Sequence, residues 1–380
     1  MKQYRKSIAA LILVCCGLSA CTSYDTRPIV DASGAPLAGS VAKLERIDLG
    51  GVPQWILIRG NNAANPVLLK LHGGPGQAEM ATVGLNRLLE RDFLVVEWDQ
   101  RGAGKSAASI EPATAMNLNQ IVADTVELTA LLLERFDRKS LILVGHSWGS
   151  VVGLQAIHRR PDLYQAFVST GQIANYPEGL RVGYDFLVLE AGRRNNAAAL
   201  RNLQYIGRPP YDGNDSTAKR ETHGRWLMDF GALWHSAEKF DRVGWMISSV
   251  EYSWLEKLRY TRAAENAFNM LLPELLSIDL SVSVPTVEVP VYFAVGRHDY
   301  LAPTEVSKAY FSRLVAPKKE WIWFENSAHF PQWEEAEKFH QLLAKKVLPE
   351  AQRHEPHAVR GHPLERAATG VAVTAAHVKR

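Results

Sequence analysis

Ser147 stands in GHSWG, residues 145–149, directly after the apolar run SLILV and before a stretch of helical periodicity. A G-x-S-x-G between a strand and a helix puts the serine on a sharp turn. The glycines keep bulk away from it, and the helix N-terminus behind it favours developing negative charge. Such a nucleophile needs a base, and the base needs a group that holds its tautomer. Two downstream residues supply them in the order serine, acid, histidine: Asp299 in GRHDY, after PVYFAVG, and His329 in NSAHF, after EWIWFEN. Loops at the C-terminal ends of parallel strands share one rim. The expected chemistry is acyl transfer, with Ser147 attacking, His329 relaying the proton and Asp299 orienting it. His298 is the competing histidine, but as the chain neighbour of Asp299 it is badly placed to be oriented by it.

Charge developing on a substrate oxygen must meet fixed N–H donors, each worth roughly 3 kcal/mol of barrier. HGGPG at 72–76 follows the run PVLLKL and offers Gly73 and Gly74 as candidates for the first donor; the backbone of Trp148, next after the serine, is the second. WDQRGAGKSA at 98–107 ends like a phosphate-binding loop, but the position five before Gly104 holds Asp99 where that loop needs glycine. A carboxylate there would repel the anion, so no nucleotide is expected, and Asp99 and Arg101 are expected to brace loops. No metal and no cofactor is expected either.

These residues must be positioned by a sheet. Short apolar runs rich in β-branched residues (54–59, 66–73, 93–99, 140–147, 165–170, 290–296 and 320–326) alternate with longer helical patterns such as 118–136 and 147–161. That alternation predicts an α/β fold with a mostly parallel sheet flanked by helices. It breaks over 171–285, read as a helical insertion between a first core part (41–170) and a second (286–350). The insertion's Trp226, Trp234, Trp245, Tyr252 and Trp254 suit either a packing core or the wall of a substrate pocket. Residues 351–380 lack periodicity and read as a disordered tail.

With 380 residues, a formal net charge of +3 and no long lysine or arginine block, the chain has no electrostatic footprint for nucleic acid. Its beginning is more informative. MKQYRK is a positive start, SIAALILVCCG a short apolar run, and LSAC a small-residue cleavage signal ending in Cys21. Residues 1–20 read as an export signal and 21–40 as a tether. Cys15 and Cys16 fall in the discarded part, so a cysteine-free body is expected.

LSAC resembles the bacterial lipoprotein lipobox, which implies lipidation of Cys21, a membrane partner reached through that lipid, and a place in the cell envelope. Thr22 after it resembles the outer-membrane sorting pattern, which implies the outer membrane or periplasm. HGGPG, WDQRGAGKS and GHSWG, with Asp299 and His329 downstream, resemble the α/β-hydrolase fold and in particular its proline iminopeptidase branch over roughly 45–348. The resemblance implies a metal-independent serine hydrolase with 171–285 as its helical cap. Its expected substrate is a peptide with an N-terminal proline or small residue; a carboxylic ester or amide is the alternative, and a non-catalytic surface lipoprotein a second one. Proline iminopeptidases hold the substrate's free amine with cap acids, for which Glu251, Glu221 and Glu238 are available without any being assigned.

Overall fold

The computed structural model describes residues 25–110, 116–238 and 240–353. Cys21, the signal segment and nearly all of the tail lie outside the described residues. Strands β1 (Val41–Leu49), β2 (Val52–Gly60), β3 (Val67–Leu71), β4 (Leu94–Asp99), β5 (Leu141–His146), β6 (Tyr164–Thr170), β7 (Val291–Gly296) and β8 (Lys319–Phe324) form one sheet. Its order is β1-β2-β4-β3-β5-β6-β7-β8. The first two pairings in that order, β1 with β2 and β2 with β4, are antiparallel; all the others are parallel.

The central strands are apolar on both faces because helices cover both. Along β5, Leu141 and Leu143 face one layer and Ile142 and Val144 the other, the two-residue alternation of a strand. The first layer packs against helices α1 (Leu118–Arg135) and α2 (Trp148–Arg159), the second against Phe339, Leu342, Leu343 and Val347 near the C-terminal end of the described chain. Asn117 caps α1 by accepting from the Gln120 N–H.

Between β6 and β7 the chain forms α3 (Tyr176–Arg193), α4 (Ala197–Ile206), α5 (Ser216–Asp229), α6 (Arg242–Ser248), α7 (Trp254–Leu275) and the short α8 (Leu280–Ser283). Trp226 joins Leu187, Leu203 and Phe230 in a separate apolar cluster within these helices. Ser253 and Glu256 form a capping box at the start of α7. Glu256 also takes the Lys105 ammonium at 3.0 Å, so the GKS lysine ties α7 to the sheet. Tyr252 reinforces the tie by donating its hydroxyl to both oxygens of Asp99, at 2.8 and 3.0 Å.

Arg101 is buried against Asp124, with Nε 2.9 Å from Oδ2 and Nη2 3.1 Å from Oδ1, both side chains without solvent exposure. It also donates to the carbonyls of Leu49 and Gly50. Removing one partner of such a pair strands the other charge in the interior. Asp124→Ala is therefore expected to destabilise the fold by about 3–5 kcal/mol, read as a lower denaturant midpoint at unchanged slope.

Candidate active site

The turn between β5 and α2 has little freedom. A Cβ at Gly145 would overlap the Gly149 carbonyl, and one at Gly149 would overlap the Leu71 carbonyl of β3. Between them Ser147 is held at φ 52° and ψ −115°, a region costing a non-glycine residue about 1–3 kcal/mol. Its own N–H is engaged with the Thr170 carbonyl at 2.9 Å. Its hydroxyl has no hydrogen-bond partner among the described residues. Ser147 lines a cavity of about 250 Å³ together with Gly73, Gly74 and His329.

His329 reaches this cavity from the loop after β8, and Asp299 stands behind it on the loop after β7. Nδ1 of His329 lies 2.9 Å from Oδ2 of Asp299, and both side chains are 2% exposed. The other oxygen of Asp299 accepts from the N–H groups of Leu301 and Ala302, at 2.9 and 2.8 Å, which fixes the carboxyl plane. The His329 backbone N–H donates to Leu233 and that of Tyr300 to Ala232, so the segment after α5 braces both loops. Gly171 leaves room for the imidazole: a Cβ there would come within 2.7 Å of His329 Cε1. His298 is turned elsewhere and stacks on His235 at a 3.5 Å ring separation.

The glycine loop sits directly across. A Cβ on Gly73 would stand 3.1 Å from that of Ser147. The Gly73 N–H is directed at Glu79 Oε1, 3.5 Å away, whereas that of Gly74 has no acceptor among the described residues. Trp148, the first residue of α2, has an N–H without an intrahelical acceptor. Gly74 and Trp148 thus retain N–H groups for a ligand oxygen.

Gln100 and Glu79 are the residues that sequence reasoning missed. Gln100 accepts from the Trp148 indole at 3.1 Å, donates its side-chain amide to the His72 carbonyl at 3.1 Å and its backbone N–H to His72 Nε2 at 3.2 Å. It pins the serine turn to the glycine loop. His72 and His146 are kept neutral by burial, His72 with its pKa lowered to about 4 and His146 with its own well below the ordinary value, the latter helped by the neighbouring His329 imidazole.

Glu79 is the one carboxyl side chain on the described wall of this cavity. It is buried, 3.8 Å from the Lys70 ammonium, which is already engaged by Glu97 at 2.5 Å and Asn86 at 3.0 Å. Burial pushes Glu79 up to about 7, with Lys70 opposing and the Glu97 charge adding to the rise. The three cap acids singled out in the sequence stand elsewhere. Glu251 is buried in hydrogen bonds with Thr26 and Ser249, Glu221 lines a separate groove, and Glu238 does not reach the cavity wall. The cap instead contributes Leu233, Phe240, Trp245, Phe268 and one cation, Arg242. Of the aromatics left open by sequence, Trp245 is on the wall, Trp226 in the cap core, and Trp254 is 69% exposed.

Residues 66–336 match the family model for the alpha/beta hydrolase fold. The chain is an α/β-hydrolase. The probable aminopeptidase YbaC of Bacillus subtilis is 33% identical to this hydrolase over 321 residues, covering 82% of this chain and 98% of that one. A proline iminopeptidase of Heyndrickxia coagulans is 24% identical, over 73% of this chain and 89% of its own. Among solved structures, the proline iminopeptidase of Mycobacterium smegmatis superposes with a TM-score of 0.63 at 16% identity, over 82% of this chain and 99% of the other, a likeness of fold. The hydrolase is thus an enzyme of this fold, homologous to aminopeptidases and proline iminopeptidases.

Proposed function

We propose that this hydrolase is a serine aminopeptidase that releases an N-terminal proline or other small residue from peptides. The observation that carries the mechanism is Ser147, on a strained turn, lining one cavity with a His329 that is hydrogen-bonded to a fixed Asp299. Ser147 Oγ attacks the scissile carbonyl while His329 takes its proton and passes it to the leaving amine. Asp299 holds the tautomer that makes this possible. The oxyanion meets the N–H groups of Gly74 and Trp148. Water then attacks the acyl-enzyme with His329 again acting as base. A fluorophosphonate probe is expected to label the protein on Ser147, located by peptide mass spectrometry; a folded protein that takes no label removes the serine mechanism.

The aminopeptidase reading is supported by the homologous aminopeptidases and proline iminopeptidases and by Glu79. A carboxylate beside the glycine loop is suited to hold the substrate's ammonium group, so the amine is recognised from the core side of the cavity. An ester or amide of an apolar acid is the second reading, favoured by the aromatic wall of Phe240, Trp245, Phe268, Phe330 and Trp333 and by Arg242 as the cap's charged group. We also propose that the chain is exported and lipidated at Cys21. Cys21→Ala is expected to release the protein from membranes, and undiminished partitioning would remove that assignment.

A further inference from the structure

An exposed apolar surface of the cap lies on α6 and α7. Val243 is 70%, Ile247 55%, Trp254 69% and Leu258 81% exposed, and all four line one groove of about 610 Å³. Leu255, next to Trp254, is 54% exposed. A contiguous patch of this kind marks an interaction surface, where a single exposed leucine would not. The groove shares Gln77, Arg242 and Phe268 with the cavity that holds Ser147, so the patch lies at the mouth of the site.

Two observations say what covers it. First, the described chain begins beside it. Thr26 Oγ1 donates to Glu251 Oε1 at 2.8 Å, and Glu251 lies in the loop joining the two helices that carry the patch. Arg59 holds the same threonine at 2.8 Å. Only four residues lie between Thr26 and Cys21, and the five Cα–Cα steps reach at most roughly 18 Å. Second, α7 carries Lys257, with its ammonium 4.7 Å over the Trp254 ring, and exposed Arg259 and Arg262 among the apolar residues. Apolar and aromatic side chains interleaved with cations suit an interfacial helix on anionic lipid.

We propose that α6 and α7 dock on the lipid surface, with Trp254, Leu255 and Leu258 entering the headgroup region and the active-site mouth turned towards the membrane. The inference rests on the lipidation of Cys21 for its geometry, while its test separates the two. No cysteine follows Cys21 in the sequence, so an introduced one is unique in the body. The full chain carrying Leu258→Cys is labelled with an environment-sensitive nitrobenzoxadiazole probe and reconstituted with phosphatidylethanolamine–phosphatidylglycerol vesicles. The reference is Val315→Cys, a 62% exposed position whose carbonyl receives the Val287 N–H at the strand-entry end of the sheet, outside the α6–α7 groove. The Leu258 probe is expected to shift to the blue and brighten at least threefold, with quenching by a lipid-borne nitroxide, while the Val315 probe stays unchanged. Equal behaviour of the two probes on vesicles overturns the docking. So does a Leu258 response that needs no vesicles and grows with protein concentration, which would mark a contact between copies of the chain. Peptide mass spectrometry reads the anchor separately. Cys21 that takes the label carries no lipid, and the same comparison on added vesicles then decides the docking alone.

Discussion

Ser147→Ala is expected to lower kcat by about 10⁴- to 10⁶-fold on any substrate the hydrolase cleaves, the scale on which removing the nucleophile of a concerted triad acts. The residue left behind keeps its neighbours. The Ser147 N–H stays on the Thr170 carbonyl and Gly145 and Gly149 still admit the turn, so the melting temperature is expected to change little. Labelling by fluorophosphonate disappears with the hydroxyl. Substrate binding survives because the cavity wall and the N–H groups of Gly74 and Trp148 remain. KM is therefore expected to move far less than kcat. A variant retaining a tenth of the activity would mean that Ser147 is not the nucleophile.

Glu79→Gln is expected to reduce kcat/KM by about a hundredfold for substrates with a free N-terminal amine, through KM more than kcat. Truncating one partner of a buried hydrogen-bonded charge pair costs about 2–5 kcal/mol. Esters without an amine are the internal control, and their hydrolysis is expected to stay within a few-fold of wild type. The pH profile carries the same signature. With Glu79 pushed up to about 7, its carboxyl is mostly neutral at pH 6 and mostly charged at pH 8. Amine binding is thus lost as the pH falls through about 7, and an acid limb there is expected in kcat/KM for free-amine substrates. A substrate α-amine losing its proton near about 8 closes the window from above. In Glu79→Gln the part of this limb that free-amine substrates show and esters do not should vanish, while any limb shared with the esters belongs to the general base. A difference between free-amine and ester profiles that persists unchanged would assign it to another group and leave Glu79 a structural acid paired with Lys70.

The parallel strands were legible because strands buried on both faces are continuous apolar runs, as in SLILV and PVYFAV. β1 was not. Its sequence VAKLERIDL is an antiparallel edge strand, and its outward positions are polar, so it carries no apolar run. The tether reading of 21–40 overlooked residues 25–40, where Thr26 is buried on Arg59 and Glu251 and a turn at 31–35 returns the chain to β1. Ser147, Asp299 and His329 stood out because each follows a strand, and sheet topology brings strand ends together without further information. Glu79 and Gln100 gave no such signal. The importance of Glu79 arises only when the loop after HGGPG folds back to bring it within 3.5 Å of Gly73, and that of Gln100 when it meets Trp148 and His72 at once. In the sequence Glu79 is one acid a few residues beyond the glycine loop, with nothing in its spacing to separate it from the acids of the cap.

Aminopeptidase chemistry at Ser147 is tested by hydrolysis of a matched panel by the purified enzyme. The panel holds proline and alanine arylamides with a free amine, the same compounds N-acetylated, and short and medium acyl esters. Turnover of the free-amine arylamides is expected, falling at least a hundredfold on acetylation and absent from Ser147→Ala. Turnover of the esters alone, with both arylamide sets inert, would contradict it and assign the cavity to a different acyl substrate.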